Sequence, residues 1–541
     1  MRLGGLIEGL PIQCSSVPPR VRDWASIRIC DITEDSRTVV PGSLFVARQG
    51  LKQDGKKFTA EALRSGAVAI LADAPIDPAP GVLVLTTEDV DAATARLAER
   101  FYGDPSSAMK LALVTGTNGK TTTSFLIWKI LNAASERCGL IGTVMVDDGA
   151  EVARASMTTP PAIELSRSLA VMREAGCTAA AVEASSHALD QRRVDGLRVS
   201  VAVFTNLTGD HLDYHKSMEE YASAKARLFE MLDKDATAVI NMDDAHAERM
   251  VRGCRAKIVR CTACGAKGAD ASVRIIEGDI HGMVLELKGP WGMLTSRVPL
   301  IGVYNAMNVL QACVSAYAMG LDDTRLAEGL AHVSAPPGRL ERVSRDDEPV
   351  SVYVDFAHSD DSLRNVLAAV AGAMPAPRHR ASPVVTGAGS AASSSSPLLW
   401  SIFGCGGDKD RTKRPRMGKV ATSIADRVVV TSDNPRSEKP SAIVDEILTG
   451  IDARDRERVV VQIDRERAIR HAIEHATPGD VIVIAGKGHE TEQIVSDGHG
   501  GLLSVRFDDR EVARAILDER HPGKPKARRP RAAGMRTRGA V

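Results

Sequence analysis

Leu111-Ala112-Leu113-Val114-Thr115-Gly116-Thr117-Asn118-Gly119-Lys120-Thr121-Thr122 carries an apolar run into a turn with two glycines, and the helical stretch Ser124 to Leu131 follows. A strand, a glycine turn and a helix in that order are the first unit of a parallel α/β sheet. The same turn can hold a polyphosphate. Backbone amides around Gly116 and Gly119 converge with the helix N-terminus on an anion, and Thr117, Asn118 and Thr122 complete the cradle. Lys120 neutralises outer phosphate oxygens, while the Thr121 hydroxyl is placed to reach Mg²⁺. The spacing is not the full Walker pattern, because Val114 stands where its first glycine belongs. A GxxGKTT segment also occurs as a plain turn with a surface lysine; the strand-to-helix context favours ATP as the ligand.

Outward from this point, apolar strands Ala179 to Val182, Val199 to Phe204 and Ala236 to Ile240 alternate with helical segments, the pattern of a largely parallel sheet. Upstream, Leu44 to Ala47, Ala67 to Leu71 and Val82 to Leu85 read as a small α/β unit ending near Gly103-Asp104-Pro105. Pro336-Pro337-Gly338 breaks the chain again. Strands Val350 to Asp355, Ser401 to Gly404, Arg427 to Thr431 and Val481 to Ala485 then predict a Rossmann-like third unit. The expected fold is α/β in three domains, 1–104, 105–336 and 337–519. Residues 374–397, rich in Pro, Ser, Ala and Gly, read as a flexible insertion, and 520–541 as a basic tail.

Composition agrees with a core-forming chain: of 541 residues, 44% are hydrophobic and 26% charged. Met1 to Leu10 lacks the long apolar stretch of a secretory signal, and no run approaches the roughly 18 apolar residues of a membrane span, so the cytoplasm is the expected location. Nine scattered cysteines argue against a disulfide framework, and Cys261 with Cys264 forms a lone CxxC without zinc-site partners. Net charge is zero. The eight Lys or Arg of Arg520 to Val541 read as a solvated tail, so no nucleic-acid partner is expected. A monomer is expected.

Phosphoryl transfer needs oxygen ligands for a metal. Glu183 emerges at the C-terminal end of an apolar strand, where α/β sheets place their ligands, and His211 follows the strand ending at Phe204. Each serves either as a ligand or as a plain strand-end polar residue.

Thr115 to Thr122, Glu183 to Leu189, Asn206 to His215 and Tyr304 to Asn308 resemble, in order, the motifs of the Mur ligase family. The likeness covers essentially the whole chain outside the insertion and tail. It implies activation of a carboxylate by ATP as an acyl phosphate, followed by attack of an amine. By this resemblance Lys120, Glu183, His211 and Lys225 are the catalytic candidates, with Lys225 carbamylated and with Thr121, Glu183 and His211 at the Mg²⁺. Asn305, Arg339 and His358 join the cradle as ATP contacts. Asp355-Phe356-Ala357-His358 resembles the family's DYAH segment, with Phe356 in place of Tyr and Asp360 where Pro is common.

Asp35-Ser36-Arg37 and the Pro41 to Ala47 stretch resemble the UDP-binding domain of the family's tripeptide-forming branch, which makes Ser36 a contact to a UDP-linked muramoyl dipeptide. Leu51 to Gln53 lies beside it in that reading. Thr158, Thr159, Ser185, Gln191 and Arg193 match further contacts to that substrate, with Met157 where the family often has Asn. Asp433-Asn434-Pro435-Arg436 resembles the diaminopimelate-type signature, supported by Arg414, Gly486 and Glu490. An arginine fork matches the distal carboxylate that lysine lacks. The resemblance therefore implies meso-diaminopimelate as the amine, ahead of the lysine-adding relative, a folylpolyglutamate-synthase-like ligase and a non-catalytic nucleotide-binding scaffold.

Overall fold

The computed structural model describes residues 1–50, 53–76, 82–375 and 396–521. Most of the expected insertion and the basic tail, together with Leu51 and Lys52, thus lie outside the described residues. The chain divides into two compact units, the first running to Arg339 and the second beginning at Leu340.

The first unit contains two sheets. The smaller places Gln13–Ser16, Leu83–Thr86, Ala69–Ala72, Ser43–Ala47 and Asp31–Thr33 side by side, parallel except for the first. The larger has eleven strands. At its centre Lys110–Thr115 lies between Ala179–Glu183 and Val201–Phe204, all parallel. Parallel neighbours continue outward through Cys138–Ile141 on one side and through Thr237–Asn241 and Lys257–Thr262 on the other.

These strands read as unbroken apolar runs because both of their faces are covered. The two-residue period sorts their side chains. Ala112, Val114, Ala179, Ala181, Val201 and Val203 join the core on one face, with the helices Lys120–Ala133 and Val303–Ala318. Leu111, Leu113, Ala180, Val182, Ala202 and Phe204 join the core on the other, with Ala162–Glu174 and Met218–Glu230. Such a sheet presents all its strand C-termini along one edge, and the glycine turn, Glu183 and Thr205 all lie there.

The antiparallel strands Ala271–Asp279, Gly282–Gly289 and Gly292–Val298 extend one side of this sheet. Their exposed positions include the polar residues Arg274, Glu277, Thr295 and Arg297 as well as Ile276 and Met293, so they lack the continuous apolar runs that mark the central strands.

The second unit has a six-stranded sheet in the order Glu341–Arg342, Ser351–Asp355, Val481–Ala485, Leu399–Phe403, Arg427–Val430, Val459–Val461. All pairs but the first are parallel. The last strand in sequence inserts between the first two parallel ones, which places Asp355, Gly404, Thr431 and Gly486 together at the C-terminal edge. A separate hairpin, Glu492–Ser496 with Leu502–Arg506, follows.

Candidate active site

The expected phosphate turn is a tight loop between Lys110–Thr115 and the helix starting at Lys120. Gly116 has φ 148° and Gly119 φ 84°. A Cβ at Gly116 would collide with Thr205 Oγ1, and one at Gly119 would lie 2.7 Å from Asn308 Oδ1. Glycine is therefore required at both positions by backbone sign and by space. Asn206 closes the loop from the neighbouring strand end, its Oδ1 accepting from the Asn118 amide at 2.9 Å.

Lys120 curls over this loop and donates to the carbonyls of Gly116 and Thr117 at 3.0 and 2.8 Å. Burial lowers its pKa, opposed by the nearby carboxylates of Glu183 and Asp210. Thr121 Oγ1 donates to Glu183 Oε2 at 3.1 Å and accepts from Arg339 Nη2 at 3.3 Å. Arg339 therefore reaches the first helical residues after the glycine turn. Thr122 is buried in the first helical turn. Thr117 Oγ1 bonds the Thr208 carbonyl and the Tyr221 hydroxyl, each at 3.1 Å.

Glu183 is fully buried. Its carboxylate also accepts from the Thr143 amide at 2.7 Å and hydroxyl at 2.9 Å. Thr143 was missed by motif reading. The signal for it was Gly142-Thr143 directly after the apolar strand Cys138–Ile141, a strand-end position like that of Glu183. Thr143 passes the network on to Thr158 at 3.0 Å, and Thr159 Oγ1 donates to the Glu183 carbonyl at 2.7 Å while accepting from the Ser185 amide at 3.1 Å. Arg193 donates to the Thr159 carbonyl at 2.6 Å and to Gln191 Oε1 at 2.7 Å. The expected substrate contacts Thr158, Thr159, Ser185, Gln191 and Arg193 thus form one chain attached to Glu183.

Lys225 is 1% exposed and donates to the Gly116 carbonyl at 2.9 Å, with its ammonium 4.3 Å from the Tyr221 ring centre. Burial and the charge of Lys120 push its pKa well down. His211 sits in a left-handed backbone conformation, φ 54°, with its ring 5.0 Å from that of His187. Burial lowers its pKa too. Asn305 is buried and braces the helix start: it donates to the Ile301 carbonyl at 2.9 Å and accepts from Asn308 at 3.1 Å. Among the described residues, no group of three or more His, Cys, Asp or Glu is arranged to hold a metal by itself.

Ser36 lines a cleft of about 1480 Å³ that runs from Asp31–Thr38 to Arg154, Met157 and Pro160. Its hydroxyl donates to Glu61 at 2.6 Å.

In the second unit, Asp433 to Arg436 form the turn after Arg427–Val430. Arg436 takes φ 51° and donates from Nη1 to the Gly407 carbonyl at 2.8 Å. Asn434 Nδ2 donates to Glu490 Oε2 at 2.8 Å. Gly486, φ 119°, leaves room for Asp433, whose Oδ2 would collide with any Cβ there. Pro435 packs its carbonyl where a Cβ on Gly407 would lie. Arg414, expected at the amine, is fully buried: it binds both Glu438 oxygens at 2.9 and 2.8 Å and Glu446 at 2.9 Å. It acts as a strut under the turn. His358 is exposed, with Nδ1 2.9 Å from the Phe356 carbonyl.

Cys261 is buried in the sheet core and Cys264 exposed, so this CxxC does not present a thiol pair. No helix of the described residues is long and apolar enough to cross a membrane.

Models of the Mur ligase family match along the chain: "Mur ligase family, catalytic domain" at residues 28–102, "Mur ligase middle domain" at 114–316 and "Mur ligase, glutamate ligase domain" at 384–488. A curated relative from Synechococcus elongatus, a UDP-N-acetylmuramoyl-L-alanyl-D-glutamate–2,6-diaminopimelate ligase, is 40% identical over 96% of this chain and 99% of its own. A solved structure of a ligase of that name is similar with a TM-score of 0.68, at 32% identity over 96% of this chain and 99% of that one. Folylpolyglutamate synthase of Mycobacterium tuberculosis, solved with ADP and AMPPCP, shares the fold at a TM-score of 0.54, with 19% identity over 74% of this chain and 93% of that one. Since the glycine turn, the buried glutamate and the buried lysine converge on one strand edge, and likeness of this kind runs the length of the chain, the protein belongs to the Mur ligase family.

Proposed function

We propose that this chain is the ATP-dependent ligase that joins meso-diaminopimelate by an amide bond to UDP-N-acetylmuramoyl-L-alanyl-D-glutamate, a step of peptidoglycan precursor synthesis. The observation that carries the amine assignment is the turn Asp433–Arg436, which holds a guanidinium, an amide and the Glu490 carboxylate on one strand edge. Diaminopimelate has an ammonium and a carboxylate at each end, and this set is its electrostatic complement. Lysine would leave the Arg436 guanidinium opposite an ammonium, a costly mismatch.

In this reading the uridine end of the substrate lies in the cleft bearing Ser36. Thr158, Thr159, Ser185, Gln191 and Arg193 orient its peptide, and its carboxylate attacks the terminal phosphorus of ATP, forming an acyl phosphate and releasing ADP. Two anions must meet for this, so Lys120 and the amides of residues 116–122 offset their repulsion. The neutral amine of diaminopimelate then adds to the acyl carbon, and the tetrahedral adduct loses a proton and expels phosphate. Arg339 and His358 are nucleotide contacts, Asn305 a support for the adenine side, and Arg414 a support for the Arg436 turn.

The oxygen donors Glu183 and Thr121 fit a hard divalent cation. With His211 and a carbamate on Lys225 they would hold Mg²⁺, the remaining ligands coming from phosphate. The ion supplies positive charge at the transferring phosphoryl group. Lys225 suits carbamylation because burial lowers its pKa and so favours the neutral amine, which can add to CO₂ with loss of one proton.

Product mass after incubation with ATP, the UDP-dipeptide and either diaminopimelate or lysine tests the reading. The expected product carries diaminopimelate; faster incorporation of lysine overturns the amine assignment.

A further inference from the structure

Lys487 belongs to no motif role described above, yet its ammonium is completely buried beside the proposed amine site. An ammonium carries three protons and accepts nothing. Here all three have acceptors: Asn434 Oδ1 at 3.3 Å, Glu490 Oε2 at 3.1 Å and the Glu492 carbonyl at 2.5 Å. A buried cation is retained only when its hydrogen bonds and counter-charge offset its lost hydration. These three acceptors come from three separate segments: the Asp433–Arg436 turn, the loop after Val481–Ala485, and the start of the hairpin Glu492–Ser496.

The consequence for Asn434 is an assigned orientation. Its Oδ1 accepts from Lys487 and, at 3.0 Å, from the Ile494 amide, so its Nδ2 faces Glu490 Oε2 at 2.8 Å. Glu490 Oε2 is thereby occupied by two donors. Its side chain stays 35% exposed, and Oε1 takes no donor among the described residues, so one carboxylate edge is offered outward. The hairpin locks the same turn from its other side, where the Arg436 amide donates to the Ile494 carbonyl at 3.0 Å and Gln493 donates to the Asp433 carbonyl.

We infer that Lys487 is a positioning residue of the amine site: it sets the amide of Asn434 and presents the anionic edge of Glu490 to the ammonium of the incoming amino acid, without touching that amino acid. The inference rests on the proposed reading of this edge as the diaminopimelate site. A neutral side chain at 487 leaves Asn434 free to rotate and Glu490 without its internal cation. The effect should fall on amine binding and not on the two other substrates.

Lys487→Met, close in volume and uncharged, is the test, in the full chain with ATP, UDP-dipeptide and diaminopimelate as substrates. Loss of a buried charged hydrogen-bond partner predicts a KM for diaminopimelate raised about tenfold to a hundredfold, with the KM values for ATP and UDP-dipeptide within about twofold of wild type. In a Glu490→Gln background the same substitution should add less than about threefold, because both changes remove one interaction. A purely structural lysine would raise all three KM values together and act additively with Glu490→Gln. Should Lys487→Met fail to fold, Lys487→Gln, likewise uncharged and no larger, takes its place with the same expectation. A KM for diaminopimelate within about twofold of wild type in the folded variant overturns the inference. If wild type forms no diaminopimelate product, the reading of the site falls instead, and the two failures are told apart by that one control.

Discussion

A lysine amine with a single carbonyl acceptor and an aromatic face for company is poorly placed to stay charged. Lys225 has the Gly116 carbonyl at 2.9 Å and the Tyr221 ring, while the like charge of Lys120 adds repulsion. Burial holds its pKa well below the ordinary lysine value, which favours the neutral amine that adds to CO₂, while acidification favours the ammonium and loss of the carbamate. Wild-type protein in ¹³C-bicarbonate should show a carbamate resonance that Lys225→Arg lacks, and the signal should fade as pH falls; an unchanged spectrum in the variant removes the assignment. Gly116 makes a second residue-scale case. Alanine there must take φ 148° and collide with Thr205 Oγ1. The combined backbone and overpacking cost is about 2–4 kcal/mol, readable as a lower denaturation midpoint in urea.

At the scale of elements, the strands that build both sites were legible because burial on two faces forces unbroken apolar runs. Ala179 to Val182 and Val481 to Ala485 are such runs, and their strand-end residues Glu183 and Gly486 follow at once. The antiparallel strands from Ala271 to Val298 and the hairpin Glu492–Arg506 escaped notice, because half-exposed strands mix polar residues in and imitate loops. With the hairpin went its grip on Asp433–Arg436, and with it Lys487. Arg414 was recognisable as a motif position, but no sequence pattern says that its guanidinium turns inward to Glu438 and Glu446. That strut ties the helix Lys413–Ile424 to Pro440–Leu448 and to the turn. It also makes a pH prediction. Hydrogen bonds from Arg414 bring the Glu438 carboxyl down from 4.5 to about 2. A depressed carboxyl contributes stability that is complete above its unfolded pKa and is lost as pH falls through its folded one. Between about pH 4.5 and 2, wild type should therefore lose more thermal stability than Glu438→Gln, whose amide does not titrate. Parallel slopes of melting temperature against pH in the two proteins would remove the strut from the acid response.

For the molecule as a whole, the division into two units has a chemical counterpart. In the proposed reading, the first unit holds the glycine turn, Glu183, Lys225 and the cleft with Ser36, the groups assigned to carboxylate activation apart from the nucleotide contact His358. The second holds the Arg436 turn and Glu490, which that reading assigns to the amine. Forming the acyl phosphate and consuming it are then separable by substitution. With ATP carrying ¹⁸O at the β,γ-bridge, reversible acyl phosphate formation scrambles the label into non-bridging positions of the β-phosphate, provided UDP-dipeptide is present and the amine is withheld. Lys120→Ala should abolish both scrambling and ligation, because its cation opposes the repulsion of two anions in the first step. Arg436→Ala should keep scrambling yet lose ligation of diaminopimelate by about a hundredfold or more in kcat/KM, the scale of a lost charge-assisted fork. If Arg436→Ala stops scrambling as well, the guanidinium serves activation and not the amine, and the partition of the two half-reactions between the units is wrong.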